Sequence, residues 1–149
     1  MEPRYIAIIQ CHIVTEKCPG FFCENAFTKR MGAFAKYKSN KDLRCVTITC
    51  GGCCGRAVHR KLALLLKTLK NREGIQKDDV MVHLSSCVAF DNYHAPPCPH
   101  IEYLKKLIAD KLGLKIDYGT KISDLSEKRR GEGRYTCRKE TELIVTESN

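Results

Sequence analysis

The chain has 149 residues, a length that fits one domain, and it contains no run of about eighteen apolar residues of the kind that spans a membrane. Its formal charge of +9 permits nucleic-acid binding, but the basic residues are spread along amphipathic segments such as residues 61–70, a pattern typical of solvated helix faces. Because the ten cysteines occur without a secretory signal pattern, we expect a cytoplasmic protein with metal or thiol chemistry and not a disulfide framework.

Four strand-like runs occur in chain order, at residues 4–10, 43–49, 80–86 and 115–118. The first three are rich in Ile and Val with little alternation, which is typical of parallel strands buried on both faces. Three helical patterns separate the strands. They are marked by Phe27, Met31, Phe34 and Ala35; by residues 57–69, ending near Gly74; and by residues 101–112, ending at Gly113.

This β-α-β-α-β-α-β order predicts an α/β fold, with an open, mostly parallel sheet of about four strands in the flavodoxin-like order 2-1-3-4. Helices would cover both faces, and ligands would bind beyond the carboxyl ends of the strands. We expect residues 1–120 to form this domain and residues 121–149 to form a C-terminal extension. In that extension, residues 128–133 resemble a linker, and residues 142–146 predict one short strand or part of a mobile tail.

Three cysteines directly follow the first three strands: Cys11, Cys50 and Cys87. Neighbouring strands lie about 4.8 Å apart, and two sulfurs that share a zinc ion lie about 3.8 Å apart. The strand ends can therefore bring their sulfurs to one ion or cluster with little distortion of the chain.

Four more cysteines lie in the connections at the same edge of the sheet. Cys18 and Cys23 precede the first helix, Cys53 precedes the second and Cys98 precedes the third. Helix N-termini at this edge would stabilise thiolates. Two cysteines are assigned no role at this edge: Cys45, inside a strand, is interpreted as a small core hydrophobe, and Cys137 as a spectator thiol.

The histidines differ in their distance from these sulfurs. His100 and His12 stand close enough in sequence to be ligands. His83 lies four residues before Cys87, roughly 13 Å away along an extended strand, so a hydrogen-bonded core role is favoured for it. His59 and His94 are weaker candidates.

Several motifs together give the chain a resemblance to the CGGC-domain family over most of residues 5–120. They are Cys18-Pro19-Gly20 to Cys23, Gly32-Ala33-Phe34, Thr49-Cys50-Gly51-Gly52-Cys53, His83-Leu84-Ser85-Ser86-Cys87 and Pro97-Cys98-Pro99-His100. The resemblance implies a metal-binding protein, with zinc proposed, and it implies no enzymatic activity. The ligands it implies are Cys11, Cys18, Cys23, Cys50, Cys53, Cys87, Cys98 and His100. The chain departs from the family at Cys54, where proline is frequent, and in the segment after Thr120.

Other functions remain open at this point. Seven clustered cysteines exceed the four that one zinc ion needs, so two ions or an iron–sulfur cluster are alternatives. Cys50 and Cys53 form a C-x-x-C pair suited to thiol–disulfide exchange. Cys50 and Arg56 have the C-x5-R spacing of cysteine phosphatases and arsenate reductases, in which the thiolate attacks a bound oxyanion.

Overall fold

A computed structural model of the protein describes residues 2–90, 98–134, 138 and 143. The strands in these ranges are β1 (Tyr5–Gln10), β2 (Arg44–Thr49), β3 (Val80–Leu84) and β4 (Lys115–Tyr118). They pair in parallel in the order β2-β1-β3-β4. The α/β fold and the strand order 2-1-3-4 that the sequence predicts are therefore confirmed.

The α-helices of the described ranges are α1 (Phe21–Lys29), α2 (Ala57–Glu73), α3 (Ser86–Ala89), α4 (Ile101–Lys105) and α5 (Asp124–Gly131). A π-helical segment, Lys106–Lys111, continues α4, and short 3₁₀ segments lie at Val14–Glu16, Gly32–Tyr37 and Lys77–Asp79. None of the helices in the described ranges is both long enough and apolar enough to cross a membrane.

The central strand β1 is buried along its whole length, and its side chains divide between two cores. On one face, Ala7 and Ile9 pack in a cluster with residues of α2 and α4. On the other face, Ile6 and Ile8 pack with α1 and the Gly32–Tyr37 segment. Helices thus cover both faces of the sheet, as expected for parallel strands.

Three predicted elements differ from the structure. The first helical pattern is divided, because Arg30 adopts a left-handed conformation (φ 53°) and its guanidinium donates to the carbonyl of Asn40 over 3.0 Å. The third strand ends at Leu84, and α3 begins two residues later. Residues 128–133, predicted as a linker, lie mostly in α5, whose N-cap Ser123 accepts a hydrogen bond from the Ser126 N–H.

The C-terminal extension also reaches the core. Leu143 is 1% exposed and packs in the cluster that contains α2 and α4. The buried ammonium of Lys105 donates to the carbonyl of Leu143 over 3.2 Å. The strand predicted for residues 142–146 falls outside the described residues except at this one position.

His83 has a structural role in the core, as its position in the sequence predicts. The ring is fully buried, with Nδ1 3.1 Å from the carbonyl oxygen of Gly119 and Nε2 3.0 Å from the hydroxyl of Tyr37. Because a carbonyl can only accept, Nδ1 donates to Gly119 and Nε2 accepts from Tyr37. Neutral His83 thus ties the turn after β4 to the middle of the sheet.

Burial lowers the pKa of His83 below its ordinary value of 6.5, which makes stability depend on pH. Below pH 6.5 the unfolded chain binds a proton at this histidine that the folded chain does not, so the stability that neutral His83 provides is complete above 6.5 and falls below it. We expect the melting temperature of the wild type to fall more steeply between pH 6.5 and about 5.5 than that of His83→Gln. In the free energy of unfolding, the two pH slopes should differ by at most about 1.4 kcal/mol per pH unit. Parallel pH profiles would contradict this assignment.

Candidate functional site

The carboxyl edge of the sheet brings the ends of β1, β2 and β3 side by side. Beyond the paired residues, the N–H of Cys50 donates to the carbonyl of Gln10 over 3.0 Å, and the N–H of Ser85 donates to that of Ile9 over 2.9 Å. Cys11 therefore leaves the sheet between the chain that continues β2 and the chain that enters α3.

Cys11 and Cys50 form a hydrogen-bonded pair at the centre of this edge. The hydrogen bond from Cys11 is the main cause that lowers the pKa of Cys50 to about 5, while the same bond raises the pKa of Cys11. The backbone N–H groups of His12 and Gly52 also point to the Cys50 sulfur, the former over 3.5 Å. The backbone N–H groups of Ile13 and Val14 act on the Cys11 sulfur in the same way, but the hydrogen bond between the two sulfurs leaves Cys50 with the lower pKa of the pair.

On one side of Cys11 lie three cysteines that we call the β2-side thiols: Cys50, Cys53 and Cys98. Cys98 interacts electrostatically with both of the others, and the backbone N–H of His100 stabilises its sulfur. Burial is nevertheless the largest influence on Cys98 and raises its pKa, whereas Cys53 is exposed.

On the other side lie three cysteines that we call the pocket thiols: Cys18, Cys23 and Cys87. Burial raises the pKa of Cys87 to about 11, although Cys87 has a hydrogen bond with the Ser85 hydroxyl (2.9 Å) and one from the N–H of Cys11. Cys87 interacts electrostatically with Cys18 and Cys23. The sulfur of Cys23 lies 3.1 Å from the Thr120 hydroxyl, and burial raises the pKa of Cys23 as well.

The turn between β2 and α2 depends on a glycine. Gly51 has φ +79°, and a Cβ atom there would lie 2.4 Å from the Cβ of Ala57, at the start of α2. Only a residue without a side chain lets the turn approach the helix this closely. In the same turn, hydrogen bonds from Arg56 lower the pKa of the exposed Cys54, so Arg56 contacts Cys54.

The structure brings the predicted cysteines together without assembling a finished metal site. In the ranges that the structure describes, no group of three or more His, Cys, Asp or Glu side chains is arranged to hold a metal ion. Cys11 and Cys50 instead form a hydrogen bond with each other, and His100 contributes its backbone N–H to the sulfur of Cys98. The donor set fits a soft ion, but ligation would require the thiols to lose protons and the loops to draw together.

Of the remaining sequence candidates, His12 adjoins Cys50 through its backbone N–H, and the others are Cys45, His59, His94 and Cys137. Cys45 packs in the core beneath α1, as expected for a small hydrophobe. His12 is exposed, with Nδ1 3.4 Å from the Thr49 hydroxyl, and His59 is half-buried on α2. The predictions for His94 and Cys137 fall outside the described residues.

Sequence reasoning missed the contribution of Arg138, which lies in the C-terminal extension. Its guanidinium donates to the carbonyl of Ala89 over 2.9 Å and to that of Cys98 over 2.8 Å, and its N–H donates to Phe90. Arg138 thereby joins the end of α3 to the chain that carries Cys98. Nothing in the local sequence indicates this, because the partners are 40 and 49 residues away.

Comparison with known proteins agrees with the resemblance seen in the sequence. The sequence model of a family described as "CGGC domain" matches residues 5–121. An uncharacterised protein of Methanocaldococcus jannaschii is 32% identical over 123 residues, which cover 77% of this chain and 84% of that protein. No solved structure matches the chain. The family match thus includes the seven cysteines of the sheet edge and ends before α5.

If Arg138 holds the chain around Cys98 in place, replacing Arg138 should make the Cys98 thiol more accessible to reagents. We expect Arg138→Gln to increase the rate at which Cys98 is alkylated by iodoacetamide severalfold, because two charge-assisted hydrogen bonds are lost. Arg138→Lys should restore part of the protection. Peptide mass spectrometry measures the rate, and Cys45 in the same sample is the internal control.

A rate that rises equally at Cys98 and Cys45 would indicate general unfolding and would contradict a positioning role. An unchanged rate at Cys98 would also contradict it.

Proposed function

The chain belongs to the CGGC-domain family, and we propose that it binds a metal ion through the cysteines at the carboxyl edge of its sheet. The observation that carries the proposal is the placement of the cysteines at one edge of the sheet. Cys11 and Cys50 directly follow β1 and β2, Cys87 lies just beyond the end of β3, and Cys18 and Cys23 share a pocket wall with Cys87. Core cysteines that serve only as small hydrophobes have no reason to gather in this way.

Zinc is the ion we favour, and a reducing cytoplasm is the compartment in which such thiols would stay available. The proposed ligands are Cys11, Cys18, Cys23, Cys50, Cys53, Cys87, Cys98 and His100. Bound zinc would supply a divalent charge that replaces the thiol protons. Of the two central thiols, Cys50 would ligate first, since its pKa is already lowered to about 5 by Cys11 and by backbone N–H groups.

The number of sulfurs also permits metal sites other than a single zinc ion. One zinc ion takes four ligands, so the eight proposed ligands together could hold two ions. Cysteine-only ligation fits an iron–sulfur cluster too, and we keep this as the alternative cofactor.

A second candidate function, thiol–disulfide exchange, is favoured by the lowered pKa of Cys50 and the exposure of Cys53. The Cys50 thiolate would attack a substrate disulfide, and Cys53 would displace the substrate, leaving a Cys50–Cys53 disulfide and a reduced dithiol. Insulin reduction that requires both cysteines would support it. We do not propose the phosphatase alternative, because Arg56 forms its hydrogen bonds with Cys54.

Metal binding should stabilise the fold and depend on Cys50. At free metal about 100-fold above Kd the stabilisation is about 2.7 kcal/mol, so chelation should lower the melting temperature by roughly 5–10 °C. We expect protein prepared without oxygen to contain metal by elemental analysis. Cys50→Ser should lose both the metal and the response to chelator.

Cys45→Ser is the matched control, since Cys45 lies in the core beneath α1, and it should keep metal content and the chelator response. Metal-free protein even after anaerobic reconstitution, or equal metal content in Cys50→Ser and Cys45→Ser, would refute the proposal.

A further inference from the structure

A pocket of about 190 Å³ opens beside the pocket thiols, between the start of α1 and residues 120–126. Cys18, Cys23 and Cys87 all contribute to its wall. An apolar cavity of about 150 Å³ accepts benzene, whereas drug-sized ligands occupy about 300–1,000 Å³. The pocket therefore suits an organic group of about one ring.

The rest of the wall is mainly apolar. Val14, Ile122 and the two rings of Phe21 and Phe22 line it. The rings meet edge to face with centroids 5.4 Å apart, and at 57% and 41% exposure they form an apolar patch at the mouth of the pocket. Such exposure at a concave site is typical of a surface that a ligand covers.

The charged and polar groups of the wall already have partners. Among the described lining residues the ammonium of Lys121 lies 3.2 Å from Glu127 and 3.4 Å from Asp124. Thr120 pairs with Cys23 and with Ser86. Because these groups are engaged with one another, the pocket favours a ligand whose bound form is neutral.

We propose that this pocket binds a small apolar organic group carried on a trivalent, thiol-seeking centre, of which arsenic(III) is the representative. The pocket thiols would bind the centre, and the apolar wall would bind its organic group. The inference rests on the proposed function in taking this sheet edge to bind soft ions, and it gives the pocket thiols a second ligand, which they bind when no metal ion occupies them.

The binding step balances without an oxidant or a reductant. With phenylarsine oxide, two S–H bonds break and two As–S bonds form, and the oxide oxygen leaves with both protons as water. Arsenic remains trivalent, and the adduct is neutral with its phenyl group still attached.

The test compares phenylarsine oxide with arsenite, which lacks the organic group. Reduced, metal-free protein is used with Cys53→Ser and Cys54→Ser in the background, because these two exposed neighbouring thiols could bind arsenic outside the pocket. We expect a 1:1 phenylarsenic adduct at the pocket thiols by peptide mass spectrometry. Phenylarsine oxide should bind at least about tenfold more tightly than arsenite, since its ring leaves water.

Variants separate the two parts of the pocket. Phe22→Ala should weaken phenylarsine oxide about tenfold and leave arsenite unchanged, because only the ring contacts the apolar wall. Leu64→Ala on α2, where Leu64 is 64% exposed and outside the lining, should change neither and is the matched control. Cys23→Ser should weaken both arsenicals.

Equal affinity for the two arsenicals, equal effects of Phe22→Ala and Leu64→Ala, or an adduct at Cys50 and Cys98 would overturn the inference. Any of these results together with Cys50-dependent metal binding would leave the proposed function intact. A phenylarsenic adduct in the pocket without any metal binding would support the inference while removing the proposed function.

Discussion

β1 pairs in parallel with β2 on one side and with β3 on the other, and its two faces are buried in different cores. A shift of one residue in register would exchange those faces and expose each side chain to the wrong core. The pairing is therefore held firmly, and Cys11 must leave the sheet between Cys50 and Ser85. The adjacency of Cys11 and Cys50 thus follows from the sheet itself, whereas Cys18, Cys53 and Cys98 are placed by the connections between its elements.

The sulfurs at this edge are stabilised mainly by backbone N–H groups. Gly20 donates to Cys18, His12 to Cys50, Cys11 to Cys87 and His100 to Cys98. Two arginines also lie at this edge: Arg56 contacts Cys54, and Arg138 donates to main-chain carbonyls, including that of Cys98. These amide hydrogen bonds favour the thiolate form of each sulfur, whereas burial opposes it by raising the pKa of Cys23, Cys87 and Cys98.

The sequence predicts well whatever depends on local pattern. Continuous apolar runs give the strands nearly to the residue, and cysteines that directly follow those runs must lie at one edge. The errors arise where contacts distant in the chain decide the structure. The left-handed Arg30 is held by Asn40 and Leu43, and Arg138 has partners that no spacing rule connects to it. For the same reason the pocket, which joins residues 10–23 to residues 120–126, has no signature in the sequence.

The geometry of the pocket thiols is set from the core. The buried imidazole of His83 binds the Gly119 carbonyl, and the next residue, Thr120, places its hydroxyl 3.1 Å from Cys23. Gly32 lets the chain approach from the other side, since a Cβ there would lie 2.4 Å from the Thr120 carbonyl, and Ala33 donates to that carbonyl. His83 therefore influences the sulfurs by fixing the position of the turn, although it is itself bound to Tyr37 and Gly119. His83 and Gly32, neither of which contacts a sulfur in the described contacts, thus fix the position of the Thr120 hydroxyl beside Cys23.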